Sequence, residues 1–472
     1  MKKDINMCEG PLLWNIIRYT FPIIITNVLQ LLFNAADLVV VGRFGGGSRS
    51  VAAVGATGAL INVVVTLFIG LSVGASVTVA QMSGAGKKQA VSDTVHTVFP
   101  VALICGALLT VVGTVFARPL LIGMGTPDTV LAPAVSYVRI YFCGMIGSLV
   151  YNYGAAVLRA VGDTRSPLIF LTVAGILNVG LNLMFVLGFR MDVAGVALAT
   201  ILSQYISAAL VVIALMRRQD ACHLDLRKMR IHLPALWDVL RIGLPSGIQS
   251  VIFSASNVLI QSSVNSFGEI VMSGSAAAAN IEGFVWTAMN AFQQTAMNFS
   301  GQNIGRMRYD RVRRVCRLCL LSVIVTGIVC GGGAYLFGRP LLAIYIPGAT
   351  EAIEAGMVRL AYIGLLYALD GIMDTLSGQI RGMGHSVSPM LATVLGICGL
   401  RIVWILTVFR SLDSLTIGSF TLDKLPLLFI SYPISWILTF TVEFIIYFRL
   451  IHKQKKLTPD AFVDPEKLAA VR

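Results

Sequence analysis

The sequence predicts an all-α polytopic membrane protein, with twelve transmembrane helices in two parallel six-helix repeats and a central cleft. Three observations predict it. Of 472 residues, 56% are hydrophobic and only 12% are charged, whereas a soluble domain carries about 25% charged residues. The mean hydropathy is +0.81, and apolar stretches of about 20 residues, each long enough to cross ~30 Å of hydrocarbon, recur along the chain. Features of the first half also return, in order, in the second.

Punctuation by Gly, Pro and charge places the first six spans near 14–42, 51–80, 96–117, 131–157, 167–189 and 193–216. The second six fall near 243–266, 276–302, 315–337, 353–380, 388–409 and 426–449. Runs this long and uniformly apolar do not suit the alternating strands of a membrane barrel. The opening "MKKDINMCEGPLLW" has no n-region, h-region and cleavage site in the secretory order, so the first helix is expected to stay attached.

The repeat rests on four matches. "LRAVGDTRSP" at 158–167 and "IRGMGHSVSP" at 380–389 share the frame R-x-x-G-x-x-x-S-P, 222 residues apart. "ARPLL" at 117–121 and "GRPLL" at 338–342 are 221 apart, as are Gln81 and Gly84 from Gln302 and Gly305. "FP" at 21–22 and "LP" at 244–245 are 223 apart. Each half has an even number of spans, so the halves are parallel repeats about an axis along the membrane normal. The expected organisation is an N-terminal lobe over 1–216, a cytoplasmic basic linker over 217–242, a C-terminal lobe over 243–450 and a cytoplasmic tail over 451–472.

Lys and Arg set the orientation. One side collects Lys2, Lys3, Arg18, Lys87, Lys88, Arg159, Arg165, the basic residues of 217–242, the arginines between 306 and 317, Arg381, Arg449 and the tail lysines. The other has Arg43, Arg49, Arg118, Arg190, Arg339, Arg410 and Lys424. Both termini are therefore expected in the cytoplasm, in the plasma (inner) membrane. The net charge of +13 then reflects topology, and its dispersal over short loops argues against nucleic acid as a partner. No G-x-x-x-x-G-K-[ST] segment is present to bind a nucleotide. The eight cysteines are scattered, and the lone C-x-x-C at Cys316 and Cys319 has no second pair nearby, so neither zinc nor a redox cofactor is expected.

Polar stripes inside the apolar spans carry the functional signal. Asn27, Gln30, Asn34 and Asp37 are spaced 3, 4 and 3 and share one face of the first span. A carboxylate in hydrocarbon costs at least ~2.5–3.5 kcal/mol, so that face must turn inward. In the tenth span Tyr367, Asp370, Asp374, Ser377 and Arg381 share a face, and the first half has no acids at the matching positions. In the eighth, Glu282, Trp286, Met289, Gln293 and Met297 share another. An acid beside an aromatic ring and flexible thioethers suits a lipophilic cation. Plainer roles compete. Met289 and Met297 fit core filler, Arg159 and Arg381 fit braces at helix ends, and Asp370 fits an ion pair with Arg359 or Arg139.

With these stripes in view, the chain resembles the multidrug and toxic compound extrusion (MATE) transporters over about residues 14–450. The resemblance rests on "FPIIITNVLQLLFNAADLVVVGRFG", "VAAVGATG", "AQMSGAGK", "LRAVGDTRSP", "AANIEGF" and "GQNIGRMRYDR", in order within two six-helix halves. It implies two lobes around a V-shaped cavity and efflux driven by a Na⁺ or H⁺ gradient. The acid of the family's first helix falls on Asp37, and its second-half acids fall on Glu282 and Asp370. One departure stands out. "ILNVGLNLMF" carries Asn178 and Asn182 where similar members have N-x-x-x-D, so a second carboxylate beside Asp37 is missing.

The expected function is export of amphipathic, cationic small molecules by a monomer in contact with membrane lipid, without a cofactor beyond the coupling ion. Asp37, Asn34, Asn178, Asn182 and Thr200 are the expected coupling residues, with Na⁺ at Asp37, Asn178 and Asn182 as the one metal candidate. Glu282, Trp286, Met289, Gln293, Tyr367, Asp370 and Asp374 are the expected substrate residues. A flippase for lipid-linked oligosaccharides shares the architecture and is the rival, but it calls for a more basic cavity. A membrane enzyme would need a motif that is not seen, and a channel would need a filter loop. The topology is open to a direct check. A cysteine at Gly46 should react with an impermeant thiol reagent added outside cells, and one at Lys228 should not; the reverse pattern overturns the orientation.

Overall fold

The computed structural model describes residues 4–44, 48–412, 414–417 and 420–457; Gly46 and residues 458–472 of the expected tail lie outside them. The regular structure of the described chain is helical apart from one antiparallel hairpin, in which Ser414 of β1 (Ser414–Ile417) pairs with Asp423 of β2 (Phe420–Asp423).

The first half consists of α1 (Leu12–Phe44), α2 (Ser48–Gly84), α3 (Lys88–Gly123), α4 (Asp128–Cys143), α5 (Met145–Ala160), α6 (Arg165–Leu183) and α7 (Asp192–Met216). The second opens with α8 (Leu233–Asn265), α9 (Glu269–Gly305), α10 (Tyr309–Leu336), α11 (Gly338–Tyr345), α12 (Thr350–Arg359) and α13 (Tyr367–Gly382). It ends with α14 (Val387–Thr393), α15 (Leu400–Trp404), α16 (Lys424–Phe429) and α17 (Ser431–Leu457). Eight helical stretches are long and apolar enough to cross a membrane, and two bent pairs bring the number to ten. The two further spans of the twelve are α8 and α9, with 33 and 37 residues. They have the length but are thinned in apolar character by Ser, Asn and Gln.

The two bent spans are equivalent under the repeat. α4 and α5 meet at 47° around Gly144, and the span ending in α13 bends by 40° after a π-helical stretch, Leu360–Gly364. Wide turns of this kind release backbone groups and gather at functional positions. Three others, Met184–Gly188, Val394–Gly399 and Ile405–Phe409, directly follow α6, α14 and α15.

The chain forms two compact units, one from residues 4–6 and Phe21–Gly247, the other from Met7–Thr20 and the described chain from Ile248 onward. The dividing points fall inside α1, beside Pro22, and inside α8, beside Pro245. In the first unit, the start of α8 packs on α2 so closely that a Cβ on Gly70 would run into the backbone of Gly247. In the second, the start of α1 packs on α9. Thr20 shares a 2.8 Å hydroxyl contact with Thr295, Asn298 Nδ2 donates to the Tyr19 hydroxyl at 2.9 Å, and Tyr19 meets Phe299 edge-on at 5.3 Å.

Residues 217–242, expected as a linker, pack within the first unit. Cys222 and Leu224 are buried there. The Asp225 N–H donates to His96 Nε2 at 3.1 Å, and the His232 N–H donates to Thr97 Oγ1 at 3.1 Å. Arg218 pairs with Asp4 at 2.6 Å and with Asp220 at 2.5 Å. Partial burial would raise the Asp220 carboxyl, but hydrogen bonds and charge from Arg218 outweigh it and hold it below the usual range. The polar composition of this stretch conceals a docked segment. The expected C-terminal boundary at 450 likewise falls inside a continuous α17.

Close packing at Gly70 has a measurable consequence. Gly70→Val should lower the melting temperature of the purified protein, since overpacking a tight contact costs about 1–3 kcal/mol. Gly58→Val, at a helical glycine with open space around it, should leave it unchanged. Equal melting of the two variants would remove the α2–α8 contact from the list of constraints.

Candidate functional site

In the first unit the polar stripe of α1 meets α6 and α7. Asn182 Nδ2 donates to Asp37 Oδ1 at 2.5 Å and lies 3.2 Å from Asn178 Oδ1. Thr200 of α7 stands beside the same carboxylate, with its hydroxyl also turned to the Val196 carbonyl at 2.9 Å. Both asparagines are buried. The spacing of four residues on α6 places them one turn apart on one face, and the π-helical turn begins two residues after Asn182. Four of the five expected coupling residues thus come together: Asp37, Asn178, Asn182 and Thr200. Asn34 does not join them, because its side chain is exposed one turn earlier on α1.

One atom in this cluster lacks a partner. Asn182 Oδ1 is buried and accepts no hydrogen bond. Its amide nitrogen faces Asp37, so the carbonyl oxygen points away from the carboxylate.

The second unit is arranged differently. Glu282 of α9 is clamped by Arg359 at the end of α12, with Nη2 2.9 Å from Oε2 and Nε 3.1 Å from Oε1. Arg359 Nη1 also donates to Ser275 Oγ at 2.8 Å, and the guanidinium lies 5.7 Å from the Phe429 ring centroid. All of Glu282, Arg359 and Ser275 are buried. Glu282, expected among the substrate residues, has its charge met by an arginine, and the helical face it heads is split. Trp286 is 42% exposed while Met289 is 0% exposed. Met289 packs where a Cβ on Gly371 would collide with its sulfur, and a Cβ on Gly378 would meet the Gln293 backbone oxygen. Met289 and Gln293 therefore sit at the contact of α9 with α13, where the glycines allow close approach. Met289 is core filler, and Gln293 accepts from Asn290 Nδ2 at 3.0 Å.

Arg359 is committed to Glu282, and Asp370 pairs with neither Arg359 nor Arg139. Asp370 is buried, its Oδ2 has no hydrogen-bond partner, and its charged neighbours are Asp374 and Arg401. Arg401, absent from the sequence-derived candidates, is 1% exposed. It donates to Ser435 Oγ at 2.9 Å and stacks on the Tyr432 ring at 3.9 Å. Tyr367 joins this aromatic group, 5.5 Å from the Trp436 ring. Glu443 of α17 was missed as well, though it is 0% exposed. The signal for both was available: each is a single charge inside a long apolar run.

The chain as a whole has relatives among known proteins. The MatE family model matches residues 22–184 and again 245–407, one match in each repeat. The chain is 24% identical to the probable multidrug resistance protein YoeA of Bacillus subtilis over 450 residues, covering 93% of this chain and 94% of that one. It is 27% identical to the probable multidrug resistance protein NorM of Thermotoga maritima over 399 residues, 82% and 83% of the two chains. It is 22% identical to an FAD transporter of Shewanella oneidensis over 98% of this chain and 100% of the other. Among solved structures, MATE in its bent conformation superposes with a TM-score of 0.86 at 21% identity, covering 97% of this chain and 99% of the other. A MOP superfamily transporter from Pyrococcus furiosus superposes at 0.88 with 20% identity, over 96% and 99%.

The Glu282–Arg359 pair yields a stability test. Removing one partner of a buried pair costs about 3–5 kcal/mol, whereas replacing both by apolar residues of similar volume is often neutral. Glu282→Gln should lower the melting temperature sharply, and the double variant Glu282→Leu/Arg359→Met should recover most of the loss. A Glu282→Gln protein that melts normally but no longer binds cationic substrates would return Glu282 to the substrate site.

Proposed function

The chain belongs to the MatE family, a family of membrane-embedded transporters, and on that premise we propose that it is a secondary-active exporter of amphipathic cations. Relatives named for multidrug resistance or multidrug export support a drug-exporting role. In this reading a Na⁺ or H⁺ gradient drives alternating access of the two lobes in the plasma membrane, with both termini cytoplasmic, and the working unit is a monomer. Coupling lies at Asp37, and the observation that carries it is the chain of contacts from Asp37 through Asn182 to Asn178.

The chemistry follows from that chain. An amide cannot neutralise a carboxylate, so Asp37 inside the membrane calls for a proton or a bound cation. The groups around it supply oxygens: the carboxylate itself, Asn178 Oδ1, the Thr200 hydroxyl and the partnerless Asn182 Oδ1. Oxygen donors suit a hard cation, and no second carboxylate from α6 is present to relay a proton. This favours Na⁺. The Asn182 amide then acts as a switch. With Nδ2 toward Asp37 it donates one hydrogen bond to the carboxylate; rotated by half a turn, it offers Oδ1 to the ion. Ion and amide N–H compete for one carboxylate, which gives the ion a differential affinity for two arrangements of α1 and α6.

Substrate binding is proposed for the second unit, at Asp370 and Asp374 with Tyr367 and the exposed Trp286. An acid beside aromatic rings attracts a lipophilic cation.

Transport in proteoliposomes with separately imposed gradients tests the proposal. Wild-type protein should move an amphipathic cation when a Na⁺ gradient alone is imposed. Asp37→Asn should abolish gradient-driven transport while retaining substrate binding. Wild-type rates in that variant would falsify the coupling role, and transport driven by ΔpH alone would reassign the ion to H⁺.

A further inference from the structure

The second unit holds a buried polar cluster that the proposed coupling chemistry does not use. Ser377 Oγ, Arg381 Nε, Thr439 Oγ1 and Glu443 Oε2 are all buried without a hydrogen-bond partner. They lie on α13 and α17, two helices packed against each other. The other oxygen of Glu443 has one neighbour, the Thr393 hydroxyl at 3.5 Å, and Ser377 also faces this carboxyl. Arg381 is turned aside, with Nη2 donating to Gln249 Oε1 at 2.7 Å, and no ion pair within 4.0 Å joins it to an acid among the described residues. Asp374 and Arg381 are the charged groups that face Glu443.

The charge count is uneven. Two carboxylates, Asp374 and Glu443, stand against one guanidinium, leaving one negative charge uncompensated among spans where burial of an unpaired charge is strongly unfavourable. The group that completes the cluster must therefore bring one positive charge and be small. It must also suit oxygen ligands, since the side chains around Glu443 other than the Arg381 guanidinium are hydroxyls and a carboxylate.

We propose that the polar cluster where α13, α14 and α17 meet binds one small monovalent cation, Na⁺ or a proton, at Glu443, with Asp374, Ser377 and Thr393 around it. This ion site is separate from Asp37 and is built from residues of the second unit alone. Arg381, held by Gln249, faces both carboxylates and offsets one of the two negative charges, which limits the site to a single positive charge.

The test uses full-length purified protein carrying Asp37→Asn, so that the first-unit site is silent and its failure cannot be confused with failure here. ²²Na⁺ binding at pH 8 reads the sodium arm, and proton uptake from pH 8 to pH 6 reads the proton arm. In one of these arms, adding Glu443→Gln to Asp37→Asn should lower the uptake by one cation per chain. Adding Ser377→Ala instead should weaken binding about fivefold, as for loss of one hydrogen-bonding or ligating oxygen. Gel filtration checks folding of each variant. If Glu443→Gln does not fold, Ser377→Ala and Thr393→Val carry the test, and unchanged affinity in both overturns the proposal. Equal ²²Na⁺ binding and equal proton uptake with and without Glu443→Gln also overturn it.

Discussion

A bilayer interior offers no water to a polar group, so each one must find its partner within the chain or be completed by an ion or substrate. The described helices show this at several scales. Hydroxyls along the spans fold back onto the carbonyl one turn earlier, as Thr26 does to Pro22 at 2.7 Å and Thr326 to Ser322 at 2.8 Å. Larger groups need partners from other helices, and those partners determine which elements can pack together. Asp37 ties α1 to α6, and Glu282 ties α9 to α12. Among the described residues fourteen buried side-chain atoms are left without a partner, Asn182 Oδ1, Asp370 Oδ2 and Glu443 Oε2 among them.

The two repeats have solved this problem in different ways. The first unit places a single acid among neutral amides and a hydroxyl. The second uses full charges: a clamped Glu282–Arg359 pair, Arg401 stacked on Tyr432, and the acids Asp370, Asp374 and Glu443. An acid among amides needs little reorganisation to exchange its partner for an ion. A bidentate buried pair does not open readily, which makes Glu282 and Arg359 better suited to holding α9 and α12 in register. Equivalent backbones therefore carry unequal electrostatics, and the internal repeat specifies the scaffold rather than the chemistry.

Much of the scaffold was legible in the sequence, because span length and helical spacing are local properties. The stripe ending at Asp37 and the Asn178–Asn182 pair are separated by whole turns, so their faces could be read directly. Partner choice could not. Arg359 was open to Asp370 as much as to Glu282 by charge alone, and the outcome depends on which helices meet. Glu443 and Arg401 sit in runs such as "TFTVEFIIYF" and "GLRIVWIL", where a lone charge is conspicuous but its surroundings come from α13, α14 and α17. The segment 217–242 misled for a related reason: its polar surface dominates the composition, while two buried side chains and a few backbone hydrogen bonds fix its position.

The exchange of helix starts bears on how such a protein is made and how it arose. The first unit lacks part of its packing until residue 247 has been synthesised, and the second takes up a segment made before any of its other helices. Neither half is complete as a separate translation product, so membrane insertion of the first six spans must leave the start of α1 waiting for α9. The reciprocity also fits descent from a six-helix ancestor that paired with a second copy by trading its first helical turns. Gene fusion would then have made permanent in one chain what had been an exchange between two.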